Sequence, residues 1–200
     1  MDQQGQTGTT PNETIRAGET SPKPKKEPPG RPKVPALPLI IGGVVFLLDQ
    51  ISKILVVRLI PPRTVGLALF NDFIRIIHVR NPGIAFSLGN TLPEFIRRPV
   101  FIVLPLLLLG AMVVYYVRSQ DLSRLQRFAL GGILGGGLGN IADRIFRPLG
   151  VVDFLDFKFF GLLGMERWPT FNLADSAVVV STFLLIISLA IETRLRGREK

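Results

Sequence analysis

Gly131-Gly132-Ile133-Leu134-Gly135-Gly136-Gly137-Leu138-Gly139-Asn140-Ile141-Ala142-Asp143-Arg144 is the stretch on which the fold turns. It closes the least hydrophobic of four apolar segments, at about 36–57, 100–117, 125–141 and 176–191. Each segment is near the roughly 17–25 residues that a membrane-spanning helix needs. The glycines argue for a helix. Gly131, Gly135 and Gly139 recur at every fourth residue, as do Gly132 and Gly136. Such spacing makes a small-residue face that lets neighbouring helices approach closely. A phosphate-cradling loop does not fit, because no Lys-Ser/Thr pair follows the run.

Outward from that stretch the chain divides by composition. Residues 1–35 are rich in Gly, Thr, Pro, Lys and Glu and lack an apolar face, so a disordered cytoplasmic tail is expected. No short apolar core precedes a cleavage site there, so it does not read as a signal peptide. The remainder is dominated by Leu, Ile, Val, Phe and Gly, which marks a small polytopic membrane protein. The predicted fold class is an all-α membrane protein of four transmembrane helices over 36–191, ending in a basic cytoplasmic tail at 192–200. The net charge of +9 follows from basic ends and not from nucleic-acid binding, since no basic-aromatic surface pattern accompanies it. With no cysteine, thiolate catalysis and Cys-zinc sites are excluded. The one histidine, His78, is expected to be a solvated strand residue.

The connections carry further structure. Phe73-Ile74-Arg75-Ile76-Ile77-His78-Val79 is β-branched and aromatic, so strands are expected within 58–98. Val151-Val152-Asp153-Phe154-Leu155-Asp156-Phe157 reads as a strand or a surface-lying segment, and Trp168 suits a membrane interface. Basic residues precede the first span (Lys23, Lys25, Lys26), crowd the short link (Arg118, Arg124) and follow the last span (Arg194, Arg196). With four spans these groups share one side, so both termini are predicted to be cytoplasmic.

Alternating spans bring the polar clusters to one end of the bundle. Asp49 and Lys53 lie toward the outer end of the first helix, four apart and acid before base, the order that favours an ion pair. Asn81-Pro82-Gly83 lies in the first outer connection, Asn140 and Asp143 near the end of the third helix, Asn172 and Asp175 at the start of the fourth. A carboxylate near a bilayer is costly, so such groups pair, line a watery cavity or do chemistry. Two close carboxylates share a proton, and such a pair can activate water and protonate a carbonyl. Asp143 and Asp175 fit that role; they also fit two independent interfacial aspartates, one paired with Arg144. Asp72, Asp121, Asp153 and Asp156 fall near loops, where exposed carboxylates are common, although Asp153 is flanked by apolar residues.

Five motifs in order resemble the lipoprotein signal peptidases (signal peptidase II), bacterial aspartyl peptidases of the inner membrane. They are Asp49-Gln50-Ile51-Ser52-Lys53, Asn81-Pro82-Gly83-Ile84-Ala85-Phe86-Ser87, the stretch from Gly136 to Arg144, Val152-Asp153-Phe154, and Phe171-Asn172-Leu173-Ala174-Asp175. The resemblance implies a catalytic pair of Asp143 and Asp175. It implies that Asn81, Gly83, Asn140, Arg144 and Asn172 shape the site or hold substrate, with Asp49 and Lys53 structural or substrate-adjacent. It further implies removal of the signal peptide from diacylglyceryl-modified prolipoproteins, just before the lipidated cysteine. The expected partners are lipidated prolipoproteins, membrane lipids and globomycin-type inhibitors, with no metal, cofactor or nucleic acid. A small extracytoplasmic β-cradle and an active site toward the outer face complete the expectation. A proton- or cation-coupled transporter is the competing class, disfavoured because the acids sit at one face and not through the depth. A non-enzymatic lipid-binding factor is another.

Overall fold

The structure, a computed structural model, describes residues 1, 34–83 and 93–198. The tail expected over 1–35 lies almost wholly outside the described residues, as does Ile84-Ala85-Phe86-Ser87 of the first connection. From Val34 onward the described residues belong to one unit, Lys33–Lys200. Its elements run α1 (Ala36–Leu59), β1 (Val65–Leu69), β2 (Ile74–Asn81), α2 (Glu94–Arg118), α3 (Arg124–Phe146), β3 (Val151–Phe157) and α4 (Leu173–Arg198). A short 3-10 turn, Leu162–Gly164, interrupts the chain between β3 and α4.

Three helices, α1, α2 and α4, are long and apolar enough to cross a membrane. Their outward apolar side chains are bare, as at Leu47, Leu107 and Phe183. Helix α3 is different. Its glycines lower its hydropathy, and most of its surface is covered by protein. A Cβ on Gly131 or Gly135 would run into the backbone oxygens of Pro38 and Gly42 on α1, and one on Gly136 would stand 2.5 Å from Ala174 O on α4. The two glycine faces thus seat α1 on one side and α4 on the other, the close packing that small residues allow. A capping box starts α3: Ser123 Oγ accepts from Gln126 N at 3.2 Å, and Gln126 Oε1 accepts from Ser123 N at 2.9 Å. At the same end Gln126 donates to Glu192 at 3.0 Å, and the Tyr116 hydroxyl donates to Pro35 O at 2.7 Å.

At the other end sits an antiparallel sheet in the order β1-β2-β3. Two of its strands come from the first long connection, and the third, β3, from the connection between α3 and α4. The stretch 94–98, expected in the cradle, is instead the start of α2. Arg97 and Arg98 interrupt the apolar run, so hydropathy alone begins the helix too late. Likewise α4 continues to Arg198, and the basic residues expected in a tail ride on its last turns. Val56 of α1 packs with Val152 and Phe154 of β3, flanked by Ile60, Ile76 and Leu155, and this cluster fixes the sheet to the end of α1. His78 lies in β2 as expected but is buried and not solvated, its Nδ1 2.8 Å from Ile60 O, because the chain leaving α1 lies against β2 there.

Candidate active site at the sheet end of the bundle

Two polar centres meet where the ends of α1, α3 and α4 reach the sheet. The first is closed. Asp49, Lys53 and Asp143 are wholly buried. Lys53 Nζ lies 2.8 Å from Asp49 Oδ2, 3.2 Å from Asp143 Oδ2 and 3.0 Å from Asn140 Oδ1. Three acceptors match the three protons of an ammonium group. Asp143 also pairs with Arg147 and accepts the Val152 backbone N–H at 3.0 Å. Gln50 donates to Asp49 at 3.1 Å and to Asp143 at 3.4 Å. Asp49 reaches across to α4, where its Oδ1 accepts from Ala174 N at 3.0 Å. Gly139 makes room for this: a Cβ there would stand 2.6 Å from Asp49 Oδ2.

The second centre faces a cleft of about 600 Å³ lined by Asn81, Asn140, Arg144, Asp153 and Asp175, with Val178, Val179 and Val180 along α4. Asn172-Leu173-Ala174-Asp175 is a capping box in its own right. Asn172 Oδ1 accepts from Asp175 N at 2.9 Å, and Asp175 Oδ2 accepts from Asn172 N at 3.2 Å. The local sequence therefore holds Asp175 at the first turn of α4. Asn140 Nδ2 donates to Asp175 Oδ1 at 2.7 Å. Asn172 Nδ2 donates to Asp153 Oδ1 at 2.7 Å, so one asparagine links both carboxylates. Asn81 Nδ2 donates to Asp153 Oδ2 at 3.1 Å, while its Oδ1 accepts from Gly83 N at 3.0 Å. Arg144 donates to Asn140 O at 3.2 Å and to Gly83 O at 3.1 Å, clipping the first connection to α3.

Among the described residues neither Asp153 nor Asp175 is ion-paired, whereas Asp49 and Asp143 both are. Burial, and then the negative charge of Asp175, push the Asp153 carboxyl up to about 7, against hydrogen bonds from Asn81 and Asn172. A pair that holds one proton near neutrality can act as acid and base together.

All nine site residues expected from the sequence fall in these two centres, but they divide differently from the expectation. Asp143 does not line the cleft with Asp175; Lys53 and Arg147 hold it behind, and Asp153 stands in its place. Among the described residues no ion pair joins Arg144 to either aspartate, and Arg147 pairs with Asp143 instead. Asp153, Gln50 and Arg147 went unassigned. For Asp153 a signal exists: it is flanked by Val152 and Phe154 in a strand otherwise rich in apolar residues, which leaves it little solvated face to turn to.

Comparison with known proteins agrees with this architecture. Residues 41–191 match the sequence profile of a family described as "Signal peptidase (SPase) II". The chain is 46% identical over 152 residues to a lipoprotein signal peptidase of Treponema pallidum (strain Nichols), covering 76% of this chain and 82% of that one. It is 49% identical over 153 residues to a lipoprotein signal peptidase of Borrelia hermsii (strain HS1 / DAH), covering 74% and 89%. Among solved structures, a bacterial membrane enzyme determined by the in meso method superposes with a TM-score of 0.69 at 25% identity, covering 79% of this chain and 90% of that one. The chain belongs to the signal peptidase II family.

Proposed function

We propose that this membrane protease is an aspartyl endopeptidase that removes the signal peptide of diacylglyceryl-modified prolipoproteins just before the lipidated cysteine, and that Asp153 and Asp175 are its reacting pair. The observation that carries this is the contrast in surroundings. Asp153 and Asp175 share one cleft and one bridging asparagine, whereas Asp143 is buried against two cations.

In the proposed reaction Asp175 is the ionised partner, at the positive end of the α4 dipole and accepting two N–H bonds. It takes a proton from water as the water oxygen bonds to the scissile carbonyl carbon. Asp153 gives its proton to the carbonyl oxygen. The C–N bond then breaks, the proton held by Asp175 passes to the departing amine, and the new acid product returns a proton to Asp153. Apolar Val178, Val179 and Val180 extend the cleft along α4 and suit a substrate that is peptide at one end and lipid at the other. Acyl chains in the bilayer contribute roughly 0.8 kcal/mol per CH₂ to holding it there. Globomycin-type inhibitors are expected in the same cleft.

We further propose that α3 is a fourth span, shielded from lipid by its neighbours. The chain then sits in the bacterial inner membrane with both termini cytoplasmic and the cleft at the outer face. Asn81 and Arg144 are read as shaping the cleft, and Asp49 and Lys53 as its support.

The test uses purified protein in detergent with a lipidated prolipoprotein and its unlipidated twin, read by the mass lost with the signal peptide. Cleavage of the lipidated form only, abolished in Asp153→Asn and in Asp175→Asn, is the expected result. Turnover retained by either variant would overturn the pair.

A further inference from the structure

A second polar hollow lies beside the cleft, between the start of α2 and the end of α3. Arg97, Arg98, Arg144 and Arg147 line it, with Glu94 as the one carboxylate and Phe101 and Pro148 as apolar wall. Of the four, Arg147 is also paired with Asp143, whereas Arg98 and Arg144 donate to backbone carbonyls. Arg144 Nε is buried without a hydrogen-bond partner, as is Nη1 of Arg80, whose charge repels Arg147. Arg97 and Arg98 follow Glu94 at the start of α2, beside the positive end of its dipole, which favours an anion. No side chain caps that end of the helix.

The surroundings show what kind of anion fits. Phe95, Phe146 and Leu149 beside the hollow are strongly exposed, at 77%, 79% and 68%. From them the bare apolar side of α2 runs on through Val103 and Leu107. Basic groups at a helix end, with exposed aromatic and aliphatic side chains leading onto a lipid-facing helix, match a phospholipid: phosphate on the arginines, acyl chains along α2. The hollow is small, about 30 Å³, so it takes phosphate oxygens and leaves the body of the lipid outside.

We propose that this arginine hollow binds the phosphodiester of an anionic phospholipid of the surrounding bilayer. Such a lipid would lie one residue, Arg144, from the peptidase cleft, which Arg144 also lines.

The experiment is lipid competition on the full chain. Purified protein is given equal phosphatidylglycerol and phosphatidylcholine of the same acyl chains, stripped stepwise in detergent, and the retained lipid is counted by native mass spectrometry. The wild type is expected to hold phosphatidylglycerol over phosphatidylcholine by about tenfold, from charge near the membrane surface. In Arg97→Gln/Arg98→Gln the preference should fall to about twofold or less. Arg98→Gln alone, at an exposed position, should lower it partway and keeps the test readable if the double variant folds poorly. Arg58→Gln/Arg63→Gln, which removes two exposed charges from the end of α1 and the turn after it, should leave the preference intact. Equal retention of both lipids by the wild type would overturn the site. So would an equal loss in the Arg58/Arg63 variant, which would mean diffuse charge. Displacement of the lipid by millimolar inorganic phosphate alone would overturn the lipid assignment.

Discussion

The two carboxylate centres use the same residue type within one bundle end and are built in opposite ways. Around Asp49 and Asp143 every acid oxygen meets a cation or a backbone or amide N–H, and no water-sized space is needed. Around Asp153 and Asp175 the partners are asparagine amides and backbone N–H groups, and the cleft is open. A paired cation opposes protonation of a carboxylate strongly; neutral amides orient it and oppose its protonation more weakly. The first centre ties α1, α3, α4 and β3 together, and the second is left to exchange a proton. A buried aspartate is therefore assigned by what neutralises it, and not by its depth.

The sharpest break in that comparison is between the aspartates themselves. Asp153→Asn and Asp175→Asn should each lower turnover by ~10³-fold or more, on the scale of lost acid–base assistance, with little change in the thermal midpoint. Asp143→Asn should lose stability first, with turnover tracking the folded fraction. A folded, inactive Asp143→Asn beside an active Asp153→Asn would restore the pairing expected from the sequence.

Next comes Lys53→Met. It leaves Asp49 and Asp143 buried without their shared cation, at a cost of about 3–5 kcal/mol, and should appear as a large drop in the midpoint of detergent-solubilised protein.

The third is a pH profile. Asp153, raised to about 7, must keep its proton, so turnover should hold below pH 7 and fall as pH rises beyond it. The apparent value belongs to the pair. Stability should move the same way. Between the ordinary carboxylate value of 3.8 and about 7 the folded chain keeps a proton that the unfolded chain has released, so stability declines as pH rises across that window. A turnover profile that is flat from pH 6 to 9 would remove Asp153 from the reaction.

Asn172→Ala is expected to act more gently. It removes a helix cap, about 1 kcal/mol, and a donor to ionised Asp153, so the alkaline limb should shift upward as turnover falls. The smallest effect is predicted for Asp72→Asn. Asp72 pairs with Arg75 at the surface of the sheet, away from both centres, and its loss should leave turnover and midpoint unchanged within error.

Much of this was legible along the chain. The apolar runs, the glycine spacing of α3 and the strand pattern around Ile76 are local periodicities, and each was written in residues a few positions apart. So was the Asn-x-x-Asp box that starts α4, and the Asp49–Lys53 pair one helical turn apart. Alternating helices also sufficed to bring the acids to one end. Which acid meets which partner was decided only by the tertiary structure. Gln50 and Lys53 of α1 turn toward Asp143 of α3, and β3 crosses from the last connection to set Asp153 beside Asn172. Those choices depend on side-chain direction across helices packed through glycine, over separations of 19 to 93 residues. Local pattern carries no information at that range, because a carboxylate looks the same in sequence whether a lysine or an asparagine will face it.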